Sequence, residues 1–189
     1  MAAPAKPLPR HSVEEYLALE ERSDVRHEYV DGFIHAMAGE TERHNLLVLN
    51  IAFLLREAAV GHSCRVVTEN VKLHIAAVNK IYYPDVMVLC DPADDHPSIK
   101  RQPRFIAEVL SPSTEATDRR EKLEAYRTIP ALQTYAIVDP NQRYVEVHQI
   151  VGGIWRAVAV QGVGVVAIPC LATSLNLDGM YERVLSPPV

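Results

Sequence analysis

Two carboxylates stand where a carboxylate is costly. Asp85 lies inside Ile81-Tyr82-Tyr83-Pro84-Asp85-Val86-Met87-Val88-Leu89, and Glu108 inside Phe105-Ile106-Ala107-Glu108-Val109-Leu110. Burying an acid in such a run is unfavourable unless it is paired or bound to a cation. Pro84 does not fit a regular central strand and marks an edge, a bulge or a strand start. If the two strands are neighbours and both acids point one way, the carboxylates come within reach of one ion. Mg²⁺ suits such a pair, because it keeps several waters and takes one or two carboxylates. Either acid alone also reads as an Arg partner or a solvated strand end. Two in consecutive apolar runs weigh toward a metal site.

Lys122 is the third member. On a helix expected over 118–128, Lys122, Ala125, Tyr126 and Ile129 recur at i, i+3, i+4, i+7. Arg120, Glu121, Glu124 and Arg127 fill the polar side. Lys122 therefore sits on the buried stripe, near the helix N-terminus, where the dipole disfavours a cation. Helical side chains lean back toward the N-terminus, so its ammonium can reach the strand of Glu108. The competing reading is a buried stem with the amine in water. Asp, Glu and Lys around one cation form a set suited to phosphodiester cleavage. The carboxylates hold Mg²⁺, and the ion polarises the phosphoryl oxygen and activates a water. The lysine deprotonates or positions that water and offsets developing negative charge.

These side chains need a scaffold, and the chain spells one out. Ser12 with Glu15 is a capping box opening a helix that fades near Ser23. Asp31-Gly32 predicts a tight hairpin over 26–38 that pairs Val30 with Phe33 and Glu28 with His35. Residues 41–59 read as the longest helix, apolar over a wide arc through Leu46, Leu47, Leu49, Asn50, Phe53, Leu54 and Leu55, with Gly61 as its stop. A strand over 66–75 follows. The runs 81–90 and 104–110 are almost wholly apolar, as for central strands covered on both faces. Pro130 ends the helix of Lys122, and strands follow at 135–138, 144–150 and 154–160. The tail over 165–184 reads as a weak strand and a short helix. This order predicts an α/β fold with a mixed central β-sheet flanked by helices. Residues 1–11, with Pro4, Pro7 and Pro9, are expected to form a flexible leader, and 12–189 a single domain.

Composition narrows the chemistry. At 189 residues, 48% hydrophobic and 23% charged, the chain has ordinary globular values. The net charge of -5, from 19 basic and 24 acidic residues, excludes a DNA-coating protein but not transient binding of a nucleic-acid substrate. Lys100, Arg101, Arg104, Arg119 and Arg120 could supply a local basic approach. Cys64, Cys90 and Cys170 form no CxxC pair and read as reduced thiols of a cytoplasmic protein. No apolar run is long enough to span a membrane. Val163, Val165, Val166 and Ile168 suggest an exposed apolar run and a homodimer. There is no phosphate-cradling GxxxxGK[ST] or GxGxxG and no GxSxG elbow. The eight histidines lack HxH, HxxH or HxxxH spacing, which argues against zinc.

Pro84-Asp85, then Glu108, then a lysine resembles the PD-(D/E)XK nuclease superfamily, of restriction-endonuclease-like fold. The finer text is similar to one family within it, the Uma-two endonucleases. The matching pieces are Glu28-Tyr29-Val30-Asp31-Gly32, His44, Tyr83-Pro84-Asp85-Val86, Glu108-Val109-Leu110-Ser111-Pro112-Ser113-Thr114, the stretch from Asp118 to Tyr126, and Tyr135-Ala136-Ile137-Val138-Asp139. The resemblance implies the restriction-endonuclease-like fold and a centre using Mg²⁺ or Mn²⁺, with Asp85 and Glu108 as metal ligands. It also implies a nucleic-acid substrate, with DNA expected, and pairing of two copies to cut two strands. The superfamily's usual lysine, two places after the Glu, falls here on Leu110, and Lys122 stands in its place. Glu28 matches a family carboxylate that completes the site; from the residues alone it is equally a cross-strand partner of His35. His44 also matches, with packing, a polar contact and catalysis all open. The alternative is a noncatalytic module on a nuclease fold, binding nucleic acid or protein. The acidic balance supports it, because a nuclease needs an electropositive approach.

Overall fold

Local signals set most of the elements. In the structure, a computed structural model that describes residues 9–111 and 115–185, α1 (Val13–Glu20) opens with the Ser12–Glu15 capping box, both reciprocal bonds made. The strands β1 (His27–Val30) and β2 (Phe33–Ala36) pair with Glu28 opposite His35, as the Asp31-Gly32 turn requires. Asp31 and Gly32 both take positive φ there. Most of the leader lies outside the described residues. Its end is docked: His11 N donates to Gly32 O at 2.8 Å, and the Arg10 guanidinium lies over the Phe33 ring.

The helix α2 (Glu42–Ala58) is capped by Thr41. It buries His44, Leu47, Val48, Ile51, Ala52 and Leu55, a stripe at helical spacing. Leu49 and Phe53, expected inside a wider arc, point to solvent at 56% and 62% exposure. The run 81–90, expected to be one strand, is two: β5 (Lys80–Tyr82) and β6 (Val86–Leu89). Pro84 cannot donate to a ladder, so the chain leaves one sheet before it and enters another after it.

Two main sheets result. One has the order β2-β1-β5-β4-β7, where β4 is Lys72–Ile75 and β7 is Ile99–Lys100. The other is built from β3 (Arg65–Thr68), β6, β8 (Phe105–Val109), β9 (Thr134–Val138), β10 (Tyr144–Val151) and β11 (Ile154–Gln161), in the order β11-β10-β9-β8-β6-β3. It is mixed, with β8 and β9 parallel and its other pairs antiparallel. The two acid-bearing runs are thus neighbours near its centre. A hairpin of β12 (Val165–Ile168) and β13 (Thr173–Asn176), with α4 (Leu177–Met180), closes the chain.

Alternation along β6 and β8 sends side chains to two cores. Val86, Val88, Phe105, Ala107 and Val109 pack with the α2 stripe. Met87, Ile106 and Leu110 pack with Ala125, Tyr126, Ile129 and, from the other sheet, Leu73 and Tyr82. Ala125 and Tyr126 lie on α3 (Leu123–Tyr126), which continues a π-helical stretch, Thr117–Lys122. Of the tail residues read as an exposed run, Val163 and Val165 are exposed, but Val166 and Ile168 are core. Lys100, expected on a basic surface, is buried and donates to the carbonyls of Asp94 and His96. No helix among the described residues is long and apolar enough to cross a membrane.

The expectation of three reduced thiols fails. Arg65 pairs with Leu89 across β3 and β6, so the residues just outside that pair, Cys64 and Cys90, meet and form a disulfide. Cys170 is free. Spacing could not reveal the bond, because the register of two paired strands that are far apart along the chain creates it. Thiol titration of the unfolded, unreduced chain is expected to find one reactive cysteine. Closing a 26-residue separation should make reduction cost on the order of 3 kcal/mol, read as a lower denaturant midpoint in dithiothreitol.

Candidate active site

Strand register assembles the acids. Thr68 pairs with Val86 and Val86 with Ala107, so one step further out stand Glu69, Asp85 and Glu108, at the ends of three neighbouring strands. The backbone confirms the row. Glu69 N donates to Asp85 O at 3.2 Å, and Val109 N donates to Asp85 Oδ2 at 2.7 Å. Asp85 N lies 3.4 Å from Glu108 Oε2. The structure therefore brings Asp85 and Glu108 side by side, with Asp85 at the strand start that Pro84 signalled.

Lys122 completes the centre. Its side chain is buried, not snorkelling, and Nζ lies 3.2 Å from each of Glu28 Oε1, Glu108 Oε1 and Asp118 Oδ1. The Tyr82 ring covers it at 5.5 Å. Tyr126 OH donates to Glu108 Oε1 at 2.6 Å. Glu28 does face His35 across the hairpin, but its carboxylate reaches Lys122. Sequence reasoning missed Asp118 and Tyr126 as partners. Asp118 was findable, because it precedes Lys122 by one helical turn on the same stripe. His44, in the first turn of α2, points Nε2 at Asp85 Oδ2, 3.1 Å away. Glu69 carries no local signal. Residues 112–114 of the Ser-Pro-Ser-Thr loop lie outside the described residues.

Charge does not balance here. Burial is the chief cause holding the Glu108 carboxyl well above the ordinary value of 4.5; Lys122 opposes it, while Asp85 and Asp118 add to it. Burial alone would discharge Lys122, but Glu108, Glu28 and Asp118 outweigh it and hold the ammonium well above its usual range. Lys122 is thus a fixed positive charge and a poor general base. Burial also disfavours charge on His44, and the bond to Asp85 overrides it, raising the imidazole. The site opens on a cavity of about 930 Å³ whose walls carry eight carboxylates but only two strong cations, Arg26 and Lys122. Such a wall repels phosphate and attracts a divalent cation. Hard oxygen donors at Asp85 and Glu108 fit Mg²⁺ or Mn²⁺.

Two variants test this balance in EDTA. Lys122→Met leaves buried acids without their cation and should cost roughly 3–5 kcal/mol at neutral pH, seen as a lower melting temperature. Glu108→Gln puts a neutral side chain where burial disfavours the ionised carboxylate, and should melt at or above wild type. The sign follows from linkage: folded Glu108 keeps a proton that the unfolded chain releases above 4.5, so wild-type stability falls as pH rises above that value. The advantage of Gln should therefore grow with pH.

The model of the Uma2 family, described as "Putative restriction endonuclease", matches residues 13–178. An uncharacterised protein of Synechocystis sp. is 33% identical over 182 residues, covering 95% of this chain and 96% of its own. A second from the same organism is 36% identical over 141 residues, covering 73% and 80%. A crystal structure from Anabaena variabilis, described as "a putative nuclease belonging to DUF820", superposes with a TM-score of 0.75 at 16% identity, covering 95% of this chain and all of that one. The fold is restriction-endonuclease-like, and the chain belongs to the Uma2 family.

Proposed function

We propose that this protein is a divalent-metal-dependent endonuclease that hydrolyses phosphodiester bonds of DNA. The observation that carries the reading is the meeting of Asp85 and Glu108 on neighbouring strand ends, with Lys122 buried against Glu108. The family description supports nuclease chemistry. The acid-lined cavity favours a site that works only with a cation bound.

Asp85 and Glu108 would hold the ion. When bound, it polarises the phosphoryl oxygen and lowers the pKa of the attacking water. Val109 N fixes the Asp85 carboxylate by donating to Oδ2, and Tyr126 fixes Glu108 through Oε1. Lys122, held charged by three carboxylates, offsets negative charge growing on the scissile phosphate. Glu28, at the cavity wall, keeps Lys122 in place and offers an acceptor to the attacking water.

One observation favours the module reading as the alternative. Lys100 is buried, and Arg119 is tied to Glu115 and Glu146, so the local basic approach is thinner than the sequence promised. We also propose a cytoplasmic homodimer. The long edge strand β11, with Ile154 and Val158 exposed, and the exposed Val163 and Val165 are surfaces it could cover. In the reducing cytoplasm the Cys64–Cys90 bond would be under pressure to open.

Supercoiled plasmid incubated with the purified protein should be nicked or cut with Mg²⁺ or Mn²⁺ and spared with EDTA. Asp85→Ala, Glu108→Ala and Lys122→Met should each slow cleavage at least about a hundredfold, the scale for losing a preorganised charge-stabilising group. Wild-type rates in all three would assign the cleavage to a contaminant and leave the module reading. Light scattering should give twice the chain mass of 21.1 kDa; the monomer mass at micromolar concentration ends the dimer.

A further inference from the structure

His44 is an odd residue for a helix stripe that packs on a sheet. The positions below it, Leu47, Val48, Ile51 and Leu55, are apolar core. The imidazole is 2% exposed, and its Nδ1 makes no hydrogen bond among the described residues. An unpaired buried polar atom costs about 1–3 kcal/mol, which an apolar side chain here would avoid. Its other nitrogen is spent on Asp85, 3.1 Å away. Packing alone does not explain the residue.

Its surroundings are those of a ligand set. His44, Glu69 and Asp85 each offer one donor atom, all within 4.8 Å of one another, the one such group of three or more among the described residues. They come from α2, the turn after β3 and the start of β6, so no sequence spacing could announce them. Glu108, by contrast, has Oε1 occupied by Lys122 and Tyr126 and keeps only Oε2 for an ion.

We propose that the cation at Asp85 is also bound by His44 and Glu69, through one imidazole nitrogen and one carboxylate, and that this set selects a first-row transition ion such as Mn²⁺ over Mg²⁺. The proposal rests on the reading of Asp85 as a metal ligand. Mg²⁺ takes oxygen ligands and dehydrates reluctantly, whereas imidazole suits transition ions. His44 Nε2 lies 3.1 Å from Asp85 Oδ2 and shares a hydrogen with it; to serve as a ligand it would give that proton up to solvent or carry it instead on Nδ1, which has no hydrogen-bond partner among the described residues.

The test uses the full-length, EDTA-stripped protein and the metal alone. Pulsed electron paramagnetic resonance of protein loaded with MnCl₂ should show nitrogen hyperfine coupling from a directly bound imidazole. His44→Gln should abolish that coupling. His44→Gln and Glu69→Gln should each weaken Mn²⁺ binding at least roughly tenfold, the lower end of the loss for even an outer-shell partner, and His44→Gln should narrow the preference over MgCl₂. Bound Mn²⁺ without nitrogen coupling overturns the proposal and leaves His44 holding Asp85 from outside. Either variant binding Mn²⁺ as tightly as wild type overturns it too. If His44→Gln does not fold, the coupling in wild type still decides. Coupling without DNA cleavage keeps the ligand set and removes the nuclease reading; cleavage in Mn²⁺ without coupling does the reverse.

Discussion

One ammonium ties this molecule together. Lys122 reaches Glu28 on the first sheet, Glu108 on the second and Asp118 on its own helix, each at 3.2 Å. A buried ion cluster is weak evidence of stability, because apolar residues of like shape often serve as well or better. Its consequence is geometric. A lysine held by three carboxylates fixes how the two sheets and the helix between them meet, and that meeting forms the cavity floor. Asp118 and Lys122, one helical turn apart, are both buried within the π-helical stretch.

The second constraint is the excess of acid. Register alone places Glu69, Asp85 and Glu108 at the ends of three adjacent strands, and further carboxylates line the approach. Burial first, and then repulsion from Asp85 and Asp118, hold the Glu108 carboxyl well above its ordinary range. A divalent ion would relieve the same repulsion without protonation. Site and stability are therefore coupled: what makes the centre unfavourable when empty is what would make it bind metal.

Local chemistry was readable from the residues. The capping box at Ser12, the Asp31-Gly32 hairpin with its pairing of Glu28 and His35, the Thr41–Ala59 helix and the buried stripe through Lys122 all depend on neighbours within a turn or a tight loop. Sterics and hydrogen bonding act there without help from the rest of the chain. The misplacements within these elements share a cause. Leu49 and Phe53 are apolar yet exposed, because only the packing partner decides which arc of an apolar helix is covered.

The sequence by itself determined that Asp85 and Glu108 sit in strands too apolar to hold them unpaired, and that Lys122 faces inward. Burial cost and helical periodicity are properties of short segments. Only the tertiary structure decided which strands lie side by side. That choice set Asp85 beside Glu108 and Glu69, brought Glu28 across from another sheet, and joined Cys64 to Cys90. It also split the run at Pro84 between two sheets. Strand pairing between distant segments is set by the packing of whole faces, and no spacing along the chain encodes it.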